Sequence, residues 1–377
     1  MTTASPLKGL KVLEIGHSIA APYAGMILGE LGAEVIKLEN PGHGDYARGW
    51  GPPFSEGTAT IFQAMNRGKK GITADLKDGA QRARVHRLIL DDIDVVMHNL
   101  KPGALDKLGL GAETLLESKP SLIFCNLGAF GARGPLKDLP GYDPLMQAFG
   151  GLMSMLGEDG RPPVRVSVSV MDLGTGMWSA LAILAAHIER LRTGKGGVID
   201  TSLFETSCAW MSIPLAAYMA SQVLPVRAGS GVEQIVPYQA YATTDGYIMV
   251  AAGNDNLFQK LCRVVGRPDL AADARFLKNA GRVEHRAELI GELSAEFAKD
   301  SVAAWTARLE AVGVPSGPVQ TLDQVAAHPQ TAAMGMLQTS PDGKVRIVGL
   351  PVSFDGVRPV NPGVAPKLGE HDAEVLT

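Results

Sequence analysis

Short β-branched runs alternate with helix-forming segments through the first two-thirds of the chain, and this alternation limits the possible folds more than any other feature. KVLEI (Lys11–Ile15) and EVIKLE (Glu34–Glu39) are the first two predicted strands, and Pro22 suits the first turn of the helix between them. Further strands are predicted at 94–99, 121–130, 164–170 and 197–204, and further helices at about 79–90, 142–156, after Asp172, and up to about 220. Strands that alternate with helices imply βαβ units and a mainly parallel sheet.

The pattern changes after about residue 225. A loop over 227–237 leads to two strands around the turn Asp245-Gly246, which favours a β-hairpin, and three helices follow at about 256–265, 282–298 and 303–312. We therefore predict an α/β protein with a large Rossmann-like domain over 1–225 and a smaller α+β domain over 226–320. The segment 321–377, with a late strand over 344–354, is predicted to return to the large domain.

Composition argues against several classes of function. The 377 residues carry a formal net charge of −4 and a pI near 6.1, so no basic surface for nucleic acid is indicated. The odd number and wide spacing of Cys125, Cys208 and Cys262 argue against a disulfide framework or a zinc site and favour a reducing cytoplasm. The N-terminal segment lacks the apolar run of a signal peptide, and charges interrupt the most apolar helix, so no membrane span is expected.

The loop after the first strand differs from a dinucleotide-binding turn. Glu39, at the end of the second strand, stands where an acidic residue would bind a ribose. However, GHSIAA supplies only Gly16, whereas the dinucleotide fingerprint needs glycines for its tight turn and for close backbone approach. NAD binding is therefore disfavoured. The absence of Walker A, HExxH and GxSxG sequences removes the commonest phosphate-loop, zinc-protease and serine-hydrolase interpretations.

Polar segments follow several predicted strands. LENPGHGDYAR (38–48) follows the second strand, and HNLKPGALDKLGL (98–110) follows a later one. The side chains that stand in or near such segments are Asn99, Lys101, Lys107, Lys69, Lys70 and Lys77. Each lysine alone is typical of a solvated surface. Several of them at the carboxyl ends of strands, where open α/β sheets bind ligands, favour a phosphorylated molecule.

One carboxylate, Asp172, stands between the strand-like run VRVSVSV and the long apolar helix in VMDLGTGMWSALAIL. An aspartate at a strand-to-helix junction is a favoured N-cap, because its side chain accepts hydrogen bonds from the first N–H groups of the helix. A carboxylate at the end of a strand can instead point into a cleft and act as a nucleophile. The local sequence leaves both interpretations open.

Seven segments, in order along nearly the whole chain, carry a resemblance to a known family. They are GLKVLEIGHSIAAPYAGMILGELGAEVIKLENPGHGDYAR, NLKPGALDKLGLG, LPGYDPLMQAFGGLMSMLG, VMDLGTGMWSALAILAAHIERLRTGKGG, YATTDGYIMVAAGNDNLFQKLCRVVGRPDL, GVPSGPV and LGEHDAEVL. These segments resemble the class III CoA-transferases, whose superfamily includes formyl-CoA transferase, carnitine CoA-transferase and the α-methylacyl-CoA racemases. The resemblance implies an interlaced homodimer. It also implies a large Rossmann-like domain that binds CoA and a smaller domain that helps close the site.

The resemblance assigns the nucleophile to Asp172 and so favours catalysis over capping at that position. It implies CoA contacts at Ile19, Ala20, Asn40, Ala74, Asp75, Leu76, Lys77, Asn99, Leu100, Lys101, Lys107, Pro140, Gly141, Tyr142 and Asp143. Ile19 and Asn40 are departures, because formyl-CoA transferase has Gln and Arg there. Gly229 and Gly231 are the matching substrate-binding residues, in a segment that lacks the four-glycine loop of formyl-CoA transferase. Formyl-CoA and oxalate are therefore disfavoured as substrates.

By this resemblance, the chain is expected to move CoA from an acyl-CoA donor to a carboxylic acid. The reaction would pass through an aspartyl anhydride and an aspartyl-CoA thioester on Asp172. Gly174 and Gly176 would leave room for substrate, and helix-terminal N–H groups would stabilise the oxyanion. Succinyl-CoA and a small dicarboxylate are the expected pair of substrates. Neither a permanently bound cofactor nor a metal is implied.

Two alternatives remain. A 2-methylacyl-CoA racemase of the same superfamily needs an acid and a base on either side of the α-carbon, and such racemases carry a histidine in a GHD motif. This chain has Gly141-Tyr142-Asp143, and a phenol is a poor base at neutral pH. The other alternative is a non-catalytic CoA-binding or structural protein, which would have no need of Asp172 and its glycine turn.

Overall fold

The computed structural model describes residues 5–341, 343–361 and 363–376, so the predicted domain limits at residues 1 and 377 lie outside the described residues. Within these ranges the strands are β1 Lys11–Ile15, β2 Glu34–Glu39, β3 Phe54–Ser55, β4 Thr58–Ala59, β5 Lys70–Thr73, β6 Val95–His98, β7 Ile123–Gly128, β8 Gly197–Ser202, β9 Tyr238–Ala242, β10 Tyr247–Ala251, β11 Ser316–Pro318, β12 Leu337–Thr339 and β13 Arg346–Val348. The α-helices are α1 Ala20–Glu30, α2 Thr60–Asn66, α3 Gly79–Asp92, α4 Ala112–Ser118, α5 Asp143–Phe149, α6 Leu152–Met155, α7 Val170–Thr193, α8 Leu203–Trp210, α9 Ser212–Ser221, α10 Asp255–Val264, α11 Pro268–Ala272, α12 Asn279–Glu284, α13 Arg286–Phe297, α14 Val302–Ala311, α15 Leu322–Ala327, α16 Pro329–Ala333 and α17 Asp372–Val375. Short 3₁₀ helices cover Tyr46–Gly49 and Asp106–Leu108.

In the described part of the chain, six strands form a parallel sheet in the spatial order β5-β2-β1-β6-β7-β8. Numbered along the chain, these strands take the order 3-2-1-4-5-6, the doubly wound order of dinucleotide-binding folds. The winding reverses between β1 and β6, and open α/β sheets bind ligands at that point, beyond the carboxyl ends of the strands. The prediction of an α/β fold with a mainly parallel sheet is confirmed.

Helices cover both faces of this sheet. Because successive side chains of each strand point to opposite faces, neighbouring residues of one strand belong to different cores. Val12 of β1 is buried in a core with Leu28 of α1 and Ile183 of α7. Leu13, the next residue, is buried in a separate core with Val85 of α3. A strand that is buried on both faces is apolar along most of its length, which explains why the sequence marks these strands clearly.

The strands expected in the large sheet differ from the structure in two places. The prediction omits β5 (Lys70–Thr73), whose lysine and glycine lack the β-branched pattern by which strands are recognised. The run VRVSVSV (164–170), predicted as a strand, does not form one. Its Val166 donates its N–H to the side-chain oxygen of Gln147 and accepts a hydrogen bond from the nitrogen of the same amide. A side-chain amide thus takes the place of a neighbouring strand.

Two other predicted elements are shorter than expected. Residues 142–156, predicted as one helix, form the separate helices α5 and α6. Gly151, which lies between them, has φ of 89°, in the left-handed region that ends helices. The late strand predicted over 344–354 is limited to β13. This strand pairs with β12 in an antiparallel pair outside the main sheet.

The chain divides into two compact units. The first contains the six-stranded sheet and takes in the chain up to Leu152, Arg165–Ile213 and the part from His328 onward. The second contains Met153–Val164 and Pro214–Ala327. The domain limits at 225/226 and 320/321 remain a prediction. No helix among the described residues is both long enough and apolar enough to cross a membrane.

The second unit contains the predicted hairpin. β9 and β10 pair antiparallel on either side of the turn Asp245-Gly246, and β11 pairs with the other edge of β10. Tyr241 of β9 is buried with Phe258 and Phe297, which lie on α10 and α13. The helix predicted over 282–298 is divided into α12 and α13 at His285.

Candidate active site

Asp172 lies in the first turn of α7 but does not cap it. The N-cap position is held by Ser169, whose side chain makes no capping hydrogen bond. Among the described residues, the Asp172 carboxylate has no hydrogen-bond or ion-pair partner. The interpretation of this aspartate as a helix cap is therefore wrong.

The cap of α7 comes from Asp143, which is only 1% exposed. One of its carboxylate oxygens accepts the backbone N–H of Met171 at 2.7 Å and that of Asp172 at 3.3 Å. The other oxygen accepts the side-chain amide of Gln147 at 2.5 Å. Asp143 thus uses its carboxylate to hold the helix, and it does not line either cavity described below.

The first-turn N–H groups of α7 are already engaged. Asp143 takes two of them, Val170 donates to the carbonyl of Val168 at 2.7 Å, and Leu173 donates to that of Ser169 at 2.9 Å. For α7, the expectation that helix-terminal N–H groups stabilise an oxyanion is therefore wrong, because the hydrogen bonds of these groups are made within the protein.

Burial, and then the nearby charge of Asp143, raise the pKa of Asp172 to about 7. Burial disfavours the ionised form of a carboxyl group because the charge loses its hydration, and a second negative charge nearby acts in the same direction. Asp172 is thus poised between its protonated and ionised forms at neutral pH. A strongly perturbed acid that faces a cavity is a candidate for chemistry.

The cavity that Asp172 faces has a volume of about 250 Å³ and lies beyond the carboxyl ends of β1, β6 and β7. Its wall includes Leu203 and Thr175 as well as the aspartate. Of the residues predicted to bind CoA, this cavity is lined by Ala20, Asn99, Leu100, Lys101, Pro140, Gly141 and Tyr142. We call it the aspartate cavity.

A second cavity of about 310 Å³ adjoins the first, since His17, Tyr46 and Leu100 line both. It lies beyond the ends of β2 and β5, and we call it the outer cavity. The other predicted CoA residues found here are Asn40, Ala74, Asp75, Leu76 and Lys77. The structure therefore brings most of the predicted CoA residues together along two adjoining cavities.

Five predicted residues lie elsewhere. Ile19 is buried before α1, Lys107 is exposed on a 3₁₀ helix, and Asp143 caps α7, so none of the three lines either cavity. Gly229 and Gly231 belong to the second compact unit.

Asn99 connects the two halves of the sheet at the point where the winding reverses. Its side-chain oxygen accepts the N–H of His17 at 2.9 Å, and its nitrogen donates to the carbonyl of His17 at 2.8 Å. The next residue, Ser18, has φ of 69°, and its N–H donates to the buried carboxylate of Asp45 at 3.0 Å. These bonds hold the loop after β1 against both cavities.

Buried ion pairs lie beside this loop. Glu14 bonds Lys37 at 2.9 Å and Lys69 at 2.6 Å, and Lys37 also pairs with Asp45 at 3.0 Å. Burial outweighs the attraction of Glu14 and lowers the pKa of Lys69 to about 8. Lys69 is thus paired inside the protein, so the prediction that it contributes to a ligand site is not supported.

Two other side chains considered in the sequence analysis also have partners within the protein. Lys70 pairs with Glu34 and Glu374 at the sheet edge, so among the three lysines at 69, 70 and 77 only Lys77 lines a cavity. Both oxygens of Glu39 bond Arg48, at 2.8 and 2.6 Å. Glu39 therefore supports the protein's own loop instead of presenting an acceptor to a ribose.

Gly174 and Gly176 serve helix packing. A Cβ at Gly174 would lie 2.8 Å from the Trp210 ring, and one at Gly176 would lie 2.7 Å from the carbonyl oxygen of Ala20. α7 thus approaches α8 and α1 more closely than other residues would allow. The expectation that these glycines leave room for substrate is wrong.

Among the cavity residues that the sequence prediction missed are His17, Tyr46 and Trp50. His17 follows β1 directly, at the end of a strand where ligands bind, and this position is a signal that could have identified it. Burial lowers the pKa of His17, so its imidazole is neutral near pH 7. Tyr46 and Trp50 lie in an irregular segment after β2, where no periodic pattern marks them.

The six-stranded parallel sheet, with an aspartate of raised pKa facing a cavity beyond its strand ends, defines an α/β protein with a candidate active site at the point where the winding reverses. The chain matches the CoA-transferase family III over residues 7–372 and belongs to that family. It is a CoA-transferase. The resemblance stated from the sequence is confirmed.

Proteins that match nearly the whole chain are named as CoA-transferases. The chain is 37% identical to a succinyl-CoA:glutarate CoA-transferase of Mus musculus, over 98% of its own length and 86% of that protein. It is also 37% identical to an acetyl-CoA:oxalate CoA-transferase of Acetobacter aceti, over 98% of its own length and 94% of that protein. Among solved structures, it is similar to a CAIB/BAIF family protein of Brucella suis, with 41% identity, a TM-score of 0.88 and 98% of each chain covered.

Proposed function

We propose that this CoA-transferase works by covalent catalysis at Asp172. The observation that carries the proposal is the Asp172 carboxylate itself, which faces a cavity, lacks a partner among the described residues, and has a pKa raised to about 7 by burial and by Asp143. A desolvated carboxylate is a stronger nucleophile than a hydrated one, because no water shell has to be removed before attack.

The proposed reaction has two symmetrical halves. An oxygen of Asp172 attacks the donor thioester, the carbon–sulfur bond breaks, and CoA thiolate leaves a mixed anhydride. The thiolate then attacks the aspartyl carbonyl of the anhydride, which releases the donor acid and forms an aspartyl-CoA thioester. The acceptor carboxylate attacks this thioester to give a second anhydride and thiolate. The thiolate finally takes the acceptor acyl group and restores Asp172, with no net proton or redox change.

We place CoA along the two adjoining cavities, with its thiol end toward Asp172 and its phosphates toward Lys77. Lys77 lines the outer cavity, and Lys101 lines the aspartate cavity. A lysine is a common phosphate partner because its ammonium group is a compact positive charge. The two cavities, of about 250 and 310 Å³, lie side by side, and two adjoining cavities suit a long, jointed molecule such as CoA.

We further propose succinyl-CoA as donor and a small dicarboxylic acid such as glutarate as acceptor. This choice is supported by the relative named succinyl-CoA:glutarate CoA-transferase and by an Agrobacterium fabrum protein named succinate–glutarate CoA-transferase, which is 37% identical over 98% of this chain. Purified enzyme should be incubated with succinyl-CoA and a panel of acids, including oxalate, and the CoA esters identified by mass spectrometry. A monocarboxylate preferred over every dicarboxylate would contradict this assignment.

The test of the mechanism is to trap the enzyme-bound intermediate. Wild-type enzyme that is incubated with succinyl-CoA and no acceptor should carry CoA or an acyl group on the peptide that contains Asp172. Hydroxylamine should convert this adduct to a hydroxamate at the same residue. Asp172→Asn should carry no adduct and lose several orders of magnitude in activity. Asp138→Asn is the matched control. Asp138 lines the same cavity but takes no part in the proposed reaction, so this variant should keep the activity of the wild type.

We also propose an interlaced homodimer in the cytoplasm. The outer face of α7 exposes Leu181, Ile188 and Leu191, the last of them at 75%, and such a row of apolar side chains favours a partner surface. An interlaced dimer would bury far more than the ~1,600 Å² of a standard interface. Sedimentation at nanomolar concentration should therefore show a dimer, and a mostly monomeric protein would contradict the proposal.

A further inference from the structure

Residues His371, Asp372 and Glu374, here called the C-terminal clamp, bind the outer edge of β5. An edge strand leaves a row of backbone N–H and C=O groups without a neighbouring strand. His371 donates its N–H to the carbonyl of Gly71 at 2.9 Å, and its Nδ1 accepts the Gly71 N–H at 3.1 Å. Glu374 pairs with Lys70 at 2.8 Å. The clamp thus takes the place of a seventh strand.

Asp372 binds the last residue of β5 with both carboxylate oxygens. One oxygen accepts the N–H of Thr73 at 2.6 Å, and the other accepts the Thr73 hydroxyl at 2.7 Å. Two glycines permit this close approach. A Cβ at Gly369 would lie 2.8 Å from the Asp372 carboxylate, and one at Gly71 would lie 2.9 Å from Pro366. The clamp and the strand end are therefore fitted to each other.

The segment that begins right after Thr73 is the 74–77 loop, whose four residues all line the outer cavity. Its far side is also anchored. Gln81 accepts the N–H of Asp75 at 2.8 Å, and Arg82 donates to the carbonyl of Leu76 at 3.0 Å. The loop is thus held between α3 and the strand end that Asp372 secures.

We propose that Asp372 is a positioning residue for CoA, acting through Thr73 on the 74–77 loop. The inference rests on the proposed binding of CoA along this loop. Without the carboxylate, two donors of Thr73 lose their partners and the start of the loop is released. CoA would then have to order the loop as it binds, which lowers its affinity. Asp172 lies in the other cavity, so the chemical steps are unaffected.

The test separates affinity from turnover. In Asp372→Ala, the dissociation constant of CoA, measured by titration calorimetry, and the KM for succinyl-CoA should both rise about tenfold, while kcat stays within about twofold. Asp372→Asn should restore most of the affinity, because an amide offers an acceptor to the Thr73 N–H and a donor to its hydroxyl. Thr73→Val removes the hydroxyl contact alone and should give a smaller rise, which keeps the test open if Asp372→Ala does not fold.

Asp94→Ala is the matched control. Asp94 also uses its carboxylate to hold a strand, since it accepts the N–H of Lys11 at 2.9 Å, but it does so at the amino end of β1. It should lose stability without a change in CoA affinity. Lys77→Ala distinguishes the two proposals: if it leaves CoA binding unchanged, the placement of CoA along this loop is wrong. If Lys77→Ala weakens binding while Asp372→Ala and Thr73→Val do not, the positioning role of Asp372 is overturned.

Discussion

The carboxylate of Asp143 accepts the backbone N–H of Asp172 at 3.3 Å, so one aspartate holds the backbone of another. Because the same carboxylate also accepts the N–H of Met171, Asp143 acts as the cap of α7. The Asp172 side chain is therefore left free to face the cavity. Burial and this nearby charge together keep the pKa of Asp172 far above that of an ordinary aspartate.

The value of kcat/KM for succinyl-CoA should rise with pH, reach half its maximum near pH 7 and level off above about pH 8. Only ionised Asp172 can attack the thioester, and burial and Asp143 raise its pKa to about 7. Initial rates between pH 5 and 9, at low donor concentration, would show this rise. A profile that is flat across this range would mean that the attacking group has an ordinary carboxyl pKa.

Asp143→Asn should move this rise toward lower pH. The substitution removes the smaller of the two causes that raise the pKa of Asp172 and leaves burial, the larger one, in place. The amide oxygen of asparagine can still accept the Met171 N–H, so α7 should keep its cap, while the contact with the Gln147 amide nitrogen is lost because two donors then face each other. Asp138→Asn, which changes an exposed residue of the same cavity, should leave the pH profile unmoved. Equal shifts in both variants would contradict a specific effect of Asp143.

Asp172→Asn should be more stable than the wild type at neutral and alkaline pH. The folded-state pKa of Asp172, about 7, is above its ordinary value, so the folded protein binds more protons than the unfolded chain as pH rises through this window. Wild-type stability therefore falls, relative to the variant, between about pH 4 and pH 7. At pH 8 the free energy of unfolding of the variant should exceed that of the wild type by about 1–2 kcal/mol. The difference is limited to this range because solvent in the open cavity screens the Asp172 charge. Thermal unfolding of both proteins at pH 5 and pH 8 measures it.

The large sheet could be predicted because its strands are buried on both faces. VVMH and IFCNLG are apolar along most of their length for this reason, and the sequence shows it directly. β5 could not be predicted in the same way. Its outer edge is completed by His371, which follows it by 300 residues, and no local pattern records such a partner.

The site was predictable to a similar extent. Strand ends indicate where ligands bind, and the family resemblance singled out Asp172. The local sequence could not show that its helix is capped from Asp143, 29 residues earlier. Nor could it show that the Asn99 side-chain amide bonds the backbone of His17, which is 82 residues away. Both contacts depend on how the strands are ordered in the sheet.

The enzyme should not exchange the α-proton of a 2-methylacyl-CoA. Racemisation needs an acid and a base on either side of the α-carbon, and the aspartate cavity presents Tyr142 where racemases of this superfamily have a histidine. With a chiral 2-methylacyl-CoA in D₂O and no acceptor acid, mass spectrometry should find negligible deuterium at that carbon. Rapid exchange under these conditions would favour the racemase alternative.

Two glycine-to-alanine substitutions should have opposite effects on stability. In the middle of a helix, alanine is favoured over glycine by about 0.5–1 kcal/mol where the new methyl group meets nothing. Gly291 of α13 has open space around its Cβ position, so Gly291→Ala should raise the melting temperature by about 1 °C. At Gly176 of α7, the methyl group would lie 2.7 Å from the carbonyl oxygen of Ala20, a backbone atom that cannot turn away.

Gly176→Ala should therefore lower stability by about 1–3 kcal/mol, as overpacking does, because α7 has to move away from α1. Since Asp172 lies one turn earlier on α7, the same movement should displace the nucleophile and lower kcat. Melting temperatures and kcat of both variants, compared with the wild type, check the pair. A Gly176→Ala enzyme as stable and as active as Gly291→Ala would show that the close packing of α7 on α1 is not needed to position Asp172.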